Sequence, residues 1–126
     1  MSTSFLEASN LIALSKAKQL KSFFKAQKGQ LINPKISAQD VIPDSETFNR
    51  TAIDKLLALP GCVGIRIYTG LDEEFKLHSI LVGVNDKGED LIIPSSVTEN
   101  NAEEGGEVVE EALRCPPICP PTSKLD

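Results

Sequence analysis

Four residues carry the side chains best suited to metal or redox chemistry: Cys62, His78, Cys115 and Cys119. By type they match the Cys₃His ligand set of structural zinc sites. The predicted strand pairing, however, sets His78 beside Thr69, about seven residues from Cys62. At ~3.3 Å per residue this separation is roughly 20 Å, whereas metal ligands lie within a few ångströms of one ion. We therefore predict no metal site.

The two cysteines near the C-terminal end of the sequence, Cys115 and Cys119, enclose Pro-Pro-Ile. A local disulfide, a link between two chains and two exposed thiols are all compatible with this spacing, although a rigid Pro-Pro pair tends to hold the sulfurs apart. The Pro-Pro-Ile-Cys-Pro-Pro segment could also dock in an aromatic-lined groove. We expect a tail that packs on its own domain, with these two cysteines as a tether.

No catalytic constellation is recognisable. The single histidine has no Ser or Cys partner in a known motif, and the nucleophile elbow, the phosphate loop and the dinucleotide fingerprint do not occur. We therefore predict no catalytic residues and no cofactor. Binding of a ligand or partner is predicted instead for four residues on one face of a sheet: Arg66, Tyr68, Ser79 and Leu81.

The net charge of −5 is unevenly distributed along the chain. Residues 1–60 carry eight Lys/Arg and five Asp/Glu, whereas residues 61–126 carry five Lys/Arg and thirteen Asp/Glu. An acidic chain binds nucleic acid poorly, because neutralising phosphates requires a basic surface. No apolar run reaches the ~18–20 residues that a membrane span requires. Three cysteines, an odd number, favour a reducing cytoplasm.

Two helices are predicted before the strand-rich part of the chain. The first covers about residues 4–28, with an apolar stripe facing the core and lysines on a solvated side. The second covers about residues 46–59, with Asp44 or Ser45 as its N-cap and a Pro-Gly pair after its last turn.

Residues 62–93 are predicted to form a three-stranded antiparallel meander, because aliphatic residues alternate with small or polar ones. Placing the aliphatic residues of the first two strands on one face fixes their register, and it sets Gly64 opposite Gly83. A shift of one residue would send one aliphatic set to the other face. The pairs required are Val63–Val84, Ile65–Val82 and Ile67–Ile80.

The fold is therefore predicted to be α+β, with two helices packed on one face of the meander. Residues 1–94 would form this core. Residues 95–126 would add an acidic loop, a short helix at 107–113 and an extended Pro/Cys-rich tail, all packed on the same domain.

The meander GIRIYTGLDEEFKLHSILVGVNDKGEDLI and the later RCPPICP resemble a group of small uncharacterised proteins from Bacteroidota. Those proteins pair a helical N-terminal part with a GIR-x-Y/F sheet and often end in a Cys-Pro-Pro-x-Cys tail. The resemblance covers roughly residues 60–120. It implies a bacterial, cytoplasmic protein and no particular activity, and it directs attention to Arg66, Tyr68, Cys115 and Cys119.

The predicted function is a non-enzymatic interaction or self-assembly module. A small sheet with free edges can pair with another chain, and the opposite charges of the two halves would suit contact between copies. The partner would be another protein or a second copy, with no nucleic acid and no membrane span. One alternative is a small-ligand-binding protein or enzyme that uses the Arg66/Tyr68 face. Another is an immunity or regulatory protein that binds a basic partner through the acidic C-terminal region.

Overall fold

The chain has an α+β fold, as the sequence predicts. The computed structural model describes residues 10–36, 41–94, 107–110, 112–121 and 123–126. Helix α1 spans Leu14–Gln27, a 3₁₀ helix spans Lys28–Leu31, and helix α2 spans Arg50–Leu57. The strands are β1 Ser45–Thr47, β2 Gly64–Leu71, β3 Leu77–Val84, β4 Asp90–Leu91 and β5 Leu113–Cys115.

The described residues divide into two compact units, and each unit combines segments from both sides of residue 94. The first, here called the sheet unit, includes the described residues 48–70, 78–94, 107–110 and 112. The second, here called the disulfide unit, includes the described residues 10–36, 41–47, 71–77, 113–121 and 123–126.

The predicted antiparallel meander is confirmed: three strands lie in the order β2-β3-β4. Its first turn is held by Asp72, whose side chain accepts the N–H groups of Glu74 and Lys76. Its second turn is held in the same way by Asn85, which accepts the N–H groups of Lys87 and Glu89. Short polar side chains that bind nearby backbone groups favour such turns over continued strand.

Helix α2 supplies the side chain at the centre of the sheet unit. Leu56 is fully buried and packs in a cluster with Leu81 and Val109. The helix begins later than predicted, because residues 45–47 form β1 and Asn49 is the N-cap. The Asn49 side chain accepts the Ala52 N–H at 2.7 Å, which satisfies one of the donors left open in the first turn.

The predicted pairing of Val63 with Val84 is present, because the Val63 N–H donates to the Val84 carbonyl at 2.8 Å. Further along β2, however, the side chains that share a face with Val84 are shifted by one residue from the predicted set. Asp90 lies opposite Val84 and therefore shares its face. Arg66 and Tyr68 both bind this Asp90. The residues of β2 that share a face with Val84 are thus Arg66 and Tyr68, and the predicted grouping of Ile65 and Ile67 with the valines is wrong.

The short helix predicted at residues 107–113 is also wrong. Glu107 and Val109 form antiparallel bridges with Ile93 and Leu81, and both bridges have paired backbone hydrogen bonds. Alternate residues of an extended segment point to opposite sides, so Val109 reaches the core while Val108 stays exposed. The acidic loop predicted at residues 95–106 lies outside the described residues.

The disulfide unit contains α1 and a two-stranded sheet in which β1 pairs antiparallel with β5. Helix α1 begins at Leu14, later than predicted, and buries none of its residues, so the predicted core-facing stripe is wrong; Leu20 and Phe23 are 56% and 69% exposed. The buried contact lies just beyond the helix, where Lys28 donates to Asp44 at 3.0 Å and lies over the Phe24 ring.

In the described part of the chain, no helix combines the length and apolar character needed to cross a bilayer.

Candidate functional site

Three side chains form a clasp over the sheet of the sheet unit: Arg66, Tyr68 and Asp90. Arg66 Nη1 donates to Asp90 Oδ1 at 2.7 Å and to the Gly88 carbonyl at 3.0 Å. The Tyr68 hydroxyl donates to Asp90 Oδ2 at 2.5 Å. Because β3 lies between β2 and β4, both long side chains must cross the middle strand to reach Asp90. The clasp therefore ties the edge strand β2 to the far side of the sheet.

The electrostatics of this clasp favour the charged form of both ionisable partners. The hydrogen bond from Tyr68, followed by the interactions of Arg66, lowers the pKa of Asp90. The hydrogen bond with Asp90 is the main cause that raises the pKa of Arg66. Asp90 is a single carboxylate with a donor on each oxygen, and the clasp is thus a structural ion pair.

The sequence prediction names four residues for this site, and the structure brings only two of them together. Arg66 and Tyr68 share one face. Leu81 belongs to the opposite face, where it is only 5% exposed and packs with Leu56. Ser79 is half-buried and, by the alternation of β3, lies on the Leu81 side.

The glycine-backed open face predicted around Gly83 is wrong. A Cβ on Gly83 would lie 3.0 Å from Cys62 Sγ and 3.4 Å from the Leu56 carbonyl. Gly83 is therefore part of the contact between sheet and helix, where the lack of a side chain permits close approach.

Asp90 is the site residue that sequence reasoning missed. It stands at the start of the predicted third strand, and its role depends on which face Val84 occupies. A search for a carboxylate on the same face as Arg66 would have found it, but only with the register shifted by one residue.

The residues with metal or redox chemistry are dispersed. His78 Nδ1 lies 3.4 Å from Glu110 Oε1, and Cys62 Sγ donates to the Gly64 carbonyl at 3.2 Å. Both contacts belong to the sheet unit, whereas Cys115 and Cys119 belong to the disulfide unit. Among the residues that the structure describes, no His, Cys, Asp and Glu side chains gather into a group suited to a metal ion.

Cys115 and Cys119 are joined to each other by a disulfide, with their Cα atoms 4.6 Å apart. The extended tail predicted after Arg114 instead reverses direction, and the Ile118 N–H donates to the Arg114 carbonyl at 2.8 Å. An odd cysteine count is compatible with one disulfide and one thiol, so the count no longer favours a reducing compartment.

Within the part of the chain that the structure describes, β2 is an edge strand of the three-stranded sheet. β2 has eight residues and stands at the end of the strand order, with β3 on its inner side. Ile67 and Tyr68, at the middle of the strand, are 63% and 44% exposed. An exposed edge with apolar side chains is a surface to which another strand can pair.

No protein-family model, curated protein or solved structure matches this chain. The resemblance to Bacteroidota proteins therefore stays a hypothesis.

Proposed function

We propose that this protein is a non-enzymatic interaction module that assembles by adding a strand to the outer edge of β2, which is an edge strand among the described residues. The observation that carries the proposal is the combination of an eight-residue edge strand and exposed apolar residues at its centre. Edge strands of this length expose unpaired N–H and C=O groups, and an incoming strand satisfies them while apolar side chains on both faces gain contacts.

The clasp supports this role by fixing the strand before it binds. Arg66 and Tyr68 are anchored to Asp90 of β4, so β2 is tied across β3 to the opposite edge of the sheet. A strand that is already ordered loses less conformational entropy when its partner arrives. Arg66 is the one charged residue of β2, and Asp90 neutralises it.

The partner best suited to this edge is a second copy of the chain. An antiparallel pair centred on Ile67 would place Ile67 beside its equivalent and Arg66 beside Tyr68 of the other copy. Residues that face each other then include one apolar pair and two cation–aromatic pairs, and no like charges meet. Such an isologous contact closes into a dimer.

The test is the mass of the protein in solution across a range of concentrations, for the unaltered chain and for Ile67→Lys. A lysine on an edge strand disfavours pairing, so we expect the unaltered protein to dimerise with rising concentration and the variant to remain monomeric. Leu57→Lys is the matched control, because Leu57 is also an exposed apolar residue but lies on α2. A monomer at all concentrations, or equal loss in both variants, would refute the proposal.

Binding of a small anion at Arg66 and Tyr68 is less favoured. Both side chains already donate to Asp90, so an anionic ligand would have to compete with this carboxylate.

The role as a partner of a basic protein depends on the acidic region, whose residues 95–106 lie outside the described part of the chain.

A further inference from the structure

The disulfide unit contains an open groove of about 580 Å³, and the Cys115–Cys119 disulfide forms part of its wall. This volume is within the range of ~300–1,000 Å³ that is typical of sites for small molecules. Much of the lining is apolar: Leu20 and Phe24 from α1, Leu125 near the C-terminal end of the sequence, and the proline pair 120–121. A bond that thiols can cleave therefore lies beside an apolar surface.

The two cysteines of this disulfide differ in their access to solvent. Cys115 is only 6% exposed and is fixed in β5, where it lies opposite Ser45 and its carbonyl accepts the Asp44 N–H at 2.6 Å. Cys119 is exposed and lies beyond the strand. Thiol–disulfide exchange begins when a thiolate attacks one of the two sulfurs, and access helps to decide which one. Cys119 is thus the position open to attack, and Cys115 provides the leaving sulfur.

The charged side chains that line the groove cancel one another. Two are lysines and two are aspartates: Lys21, Lys25, Asp44 and Asp126. The groove therefore provides no net charge that would select an anion or a cation, and moving a charged group from water to an apolar surface is unfavourable without a partner. An uncharged apolar group gains from contact with the lining and avoids that cost.

We propose that Cys119 is a reversible covalent site for a small thiol with an uncharged apolar body, which lies in the groove against Leu20 and Phe24. The ligand thiolate attacks Cys119 Sγ, and a ligand–Cys119 disulfide forms as the Cys115–Cys119 bond breaks. The electron pair of the broken bond passes to Cys115 Sγ, which then takes up a proton from water. One disulfide replaces another, so the step needs no oxidant or reductant besides the ligand thiol.

The turn keeps the two cysteines close after the exchange. The Ile118 N–H donates to the Arg114 carbonyl at 2.8 Å, a contact that does not depend on the S–S bond. The Cys115 thiol is then placed to attack the mixed disulfide, which restores the original bond and releases the ligand. The edge of β2 takes no part in this site, so the site is independent of the proposed assembly.

The test equilibrates the full chain with phenylmethanethiol and its symmetrical disulfide and, in a second series, with 2-mercaptoethanol and its disulfide. Both thiols are small and uncharged, but only the first carries a phenyl group. After acid quenching, mass spectrometry of proteolytic peptides locates and measures the mixed disulfides. We expect the adduct on Cys119, with Cys115 as a thiol. Phenylmethanethiol should give about tenfold more of it, because burial of roughly 55 Å² of apolar surface corresponds to a factor of ten.

Two controls isolate the contribution of the groove. Cys62 is the internal reference in every sample, because it belongs to the sheet unit and does not line the groove. Phe24→Ala should remove most of the preference of Cys119 for phenylmethanethiol. Phe23→Ala is the matched variant: Phe23 is the adjacent residue, is 69% exposed and does not line this groove, so its replacement should leave the preference unchanged.

Four results would overturn the proposal. The first is that no mixed disulfide forms, and the second is that Cys115 carries the adduct as often as Cys119. The third is that Cys119 prefers phenylmethanethiol no more than Cys62 does. The fourth is an equal loss of the preference in the two phenylalanine variants.

Discussion

At the scale of single residues, the clasp and Gly83 decide how the sheet unit is built. Asp90 accepts from both Arg66 and Tyr68, so its loss would leave two donors above the sheet without their shared acceptor. A Cβ at Gly83 would lie 3.0 Å from Cys62 Sγ and 3.4 Å from the Leu56 carbonyl, so a side chain there would force a neighbour to shift. Both residues work through close contacts that composition and periodicity do not reveal.

Asp90→Asn should destabilise the protein at neutral pH and have little effect in acid. The pKa of Asp90 is lowered in the folded state, so its carboxylate contributes stability above the unfolded pKa of about 3.9, and that contribution is lost as the pH falls through the folded pKa. Thermal unfolding from pH 7 to pH 3 measures the difference between the two proteins, which should shrink below about pH 4. Asp86→Asn, at an exposed aspartate in the neighbouring turn, is the charge-matched control, and an equal loss of stability at pH 7 in both variants would contradict the role of Asp90 in the clasp.

Gly83→Ala should destabilise the sheet unit by about 1–3 kcal/mol, the usual cost of overpacking. The new methyl group would lie 3.0 Å from Cys62 Sγ. Adding Cys62→Ala removes that sulfur and should restore part of the loss, which denaturant unfolding of the double-mutant cycle would detect. Gly29→Ala is the control, since nothing lies within 4 Å of a Cβ there. Equal effects at both glycines would contradict the packing argument.

At the scale of elements, each unit brings together segments that lie far apart in the sequence. In the sheet unit, α2 inserts Leu56 against Leu81 and Val109, while the neighbouring Leu57 remains half exposed. In the disulfide unit, β5 pairs with β1 and continues into the disulfide-closed turn.

The two adjacent leucines of α2 give a direct test of its orientation. Leu56→Ala should lower the free energy of unfolding by about 2–5 kcal/mol, because it removes a fully buried side chain and leaves a cavity. Leu57→Ala should change it by less than about 0.5 kcal/mol. Chemical denaturation of the two variants measures both values, and similar losses would mean that α2 is rotated relative to the structure.

The tail element makes a simple prediction about thiols. The unreduced, denatured protein should react with one equivalent of a thiol reagent, from Cys62, and the reduced protein with three. Cys115→Ser should cost roughly 2 kcal/mol by the loop-closure relation for so short a loop. Three reactive thiols before reduction would instead support free cysteines in the tail.

At the scale of the whole molecule, the uneven charge and the position of β2 at the edge of the described sheet suggest different modes of assembly. Contact between the basic first half and the acidic second half would depend on long-range attraction, which salt screens over about 10 Å at 0.1 M. Pairing of two β2 strands would depend on backbone hydrogen bonds and apolar contact.

We expect the dimerisation constant to change by less than about threefold between 50 and 500 mM salt, because the charge of Arg66 is neutralised within each copy by Asp90. Sedimentation equilibrium at several salt concentrations measures this constant. Strong dissociation at high salt would indicate the charge-driven, head-to-tail contact instead of strand pairing.

The sequence by itself determined the α+β class, the three-stranded antiparallel meander and its two turns. Alternating aliphatic residues and the turn-forming Asp72 and Asn85 act locally, so their pattern survives in the fold. The sequence also predicted that Arg66 and Tyr68 share one face of the sheet, and both side chains bind Asp90 there.

Only the tertiary structure decided the register between β2 and β3 and the choice of Asp90 as the partner of Arg66 and Tyr68. It also decided that the described residues between 107 and 115 pair as strands. Both faces of a two-sided sheet can accept aliphatic residues when long side chains cover one of them, so alternation alone does not fix the face. Val109 and Leu113 look helical in sequence, yet their backbone groups pair with Leu81 and Thr47, residues far away in the chain. Long-range strand pairing overrides local propensity, because it satisfies hydrogen bonds that the local pattern does not encode.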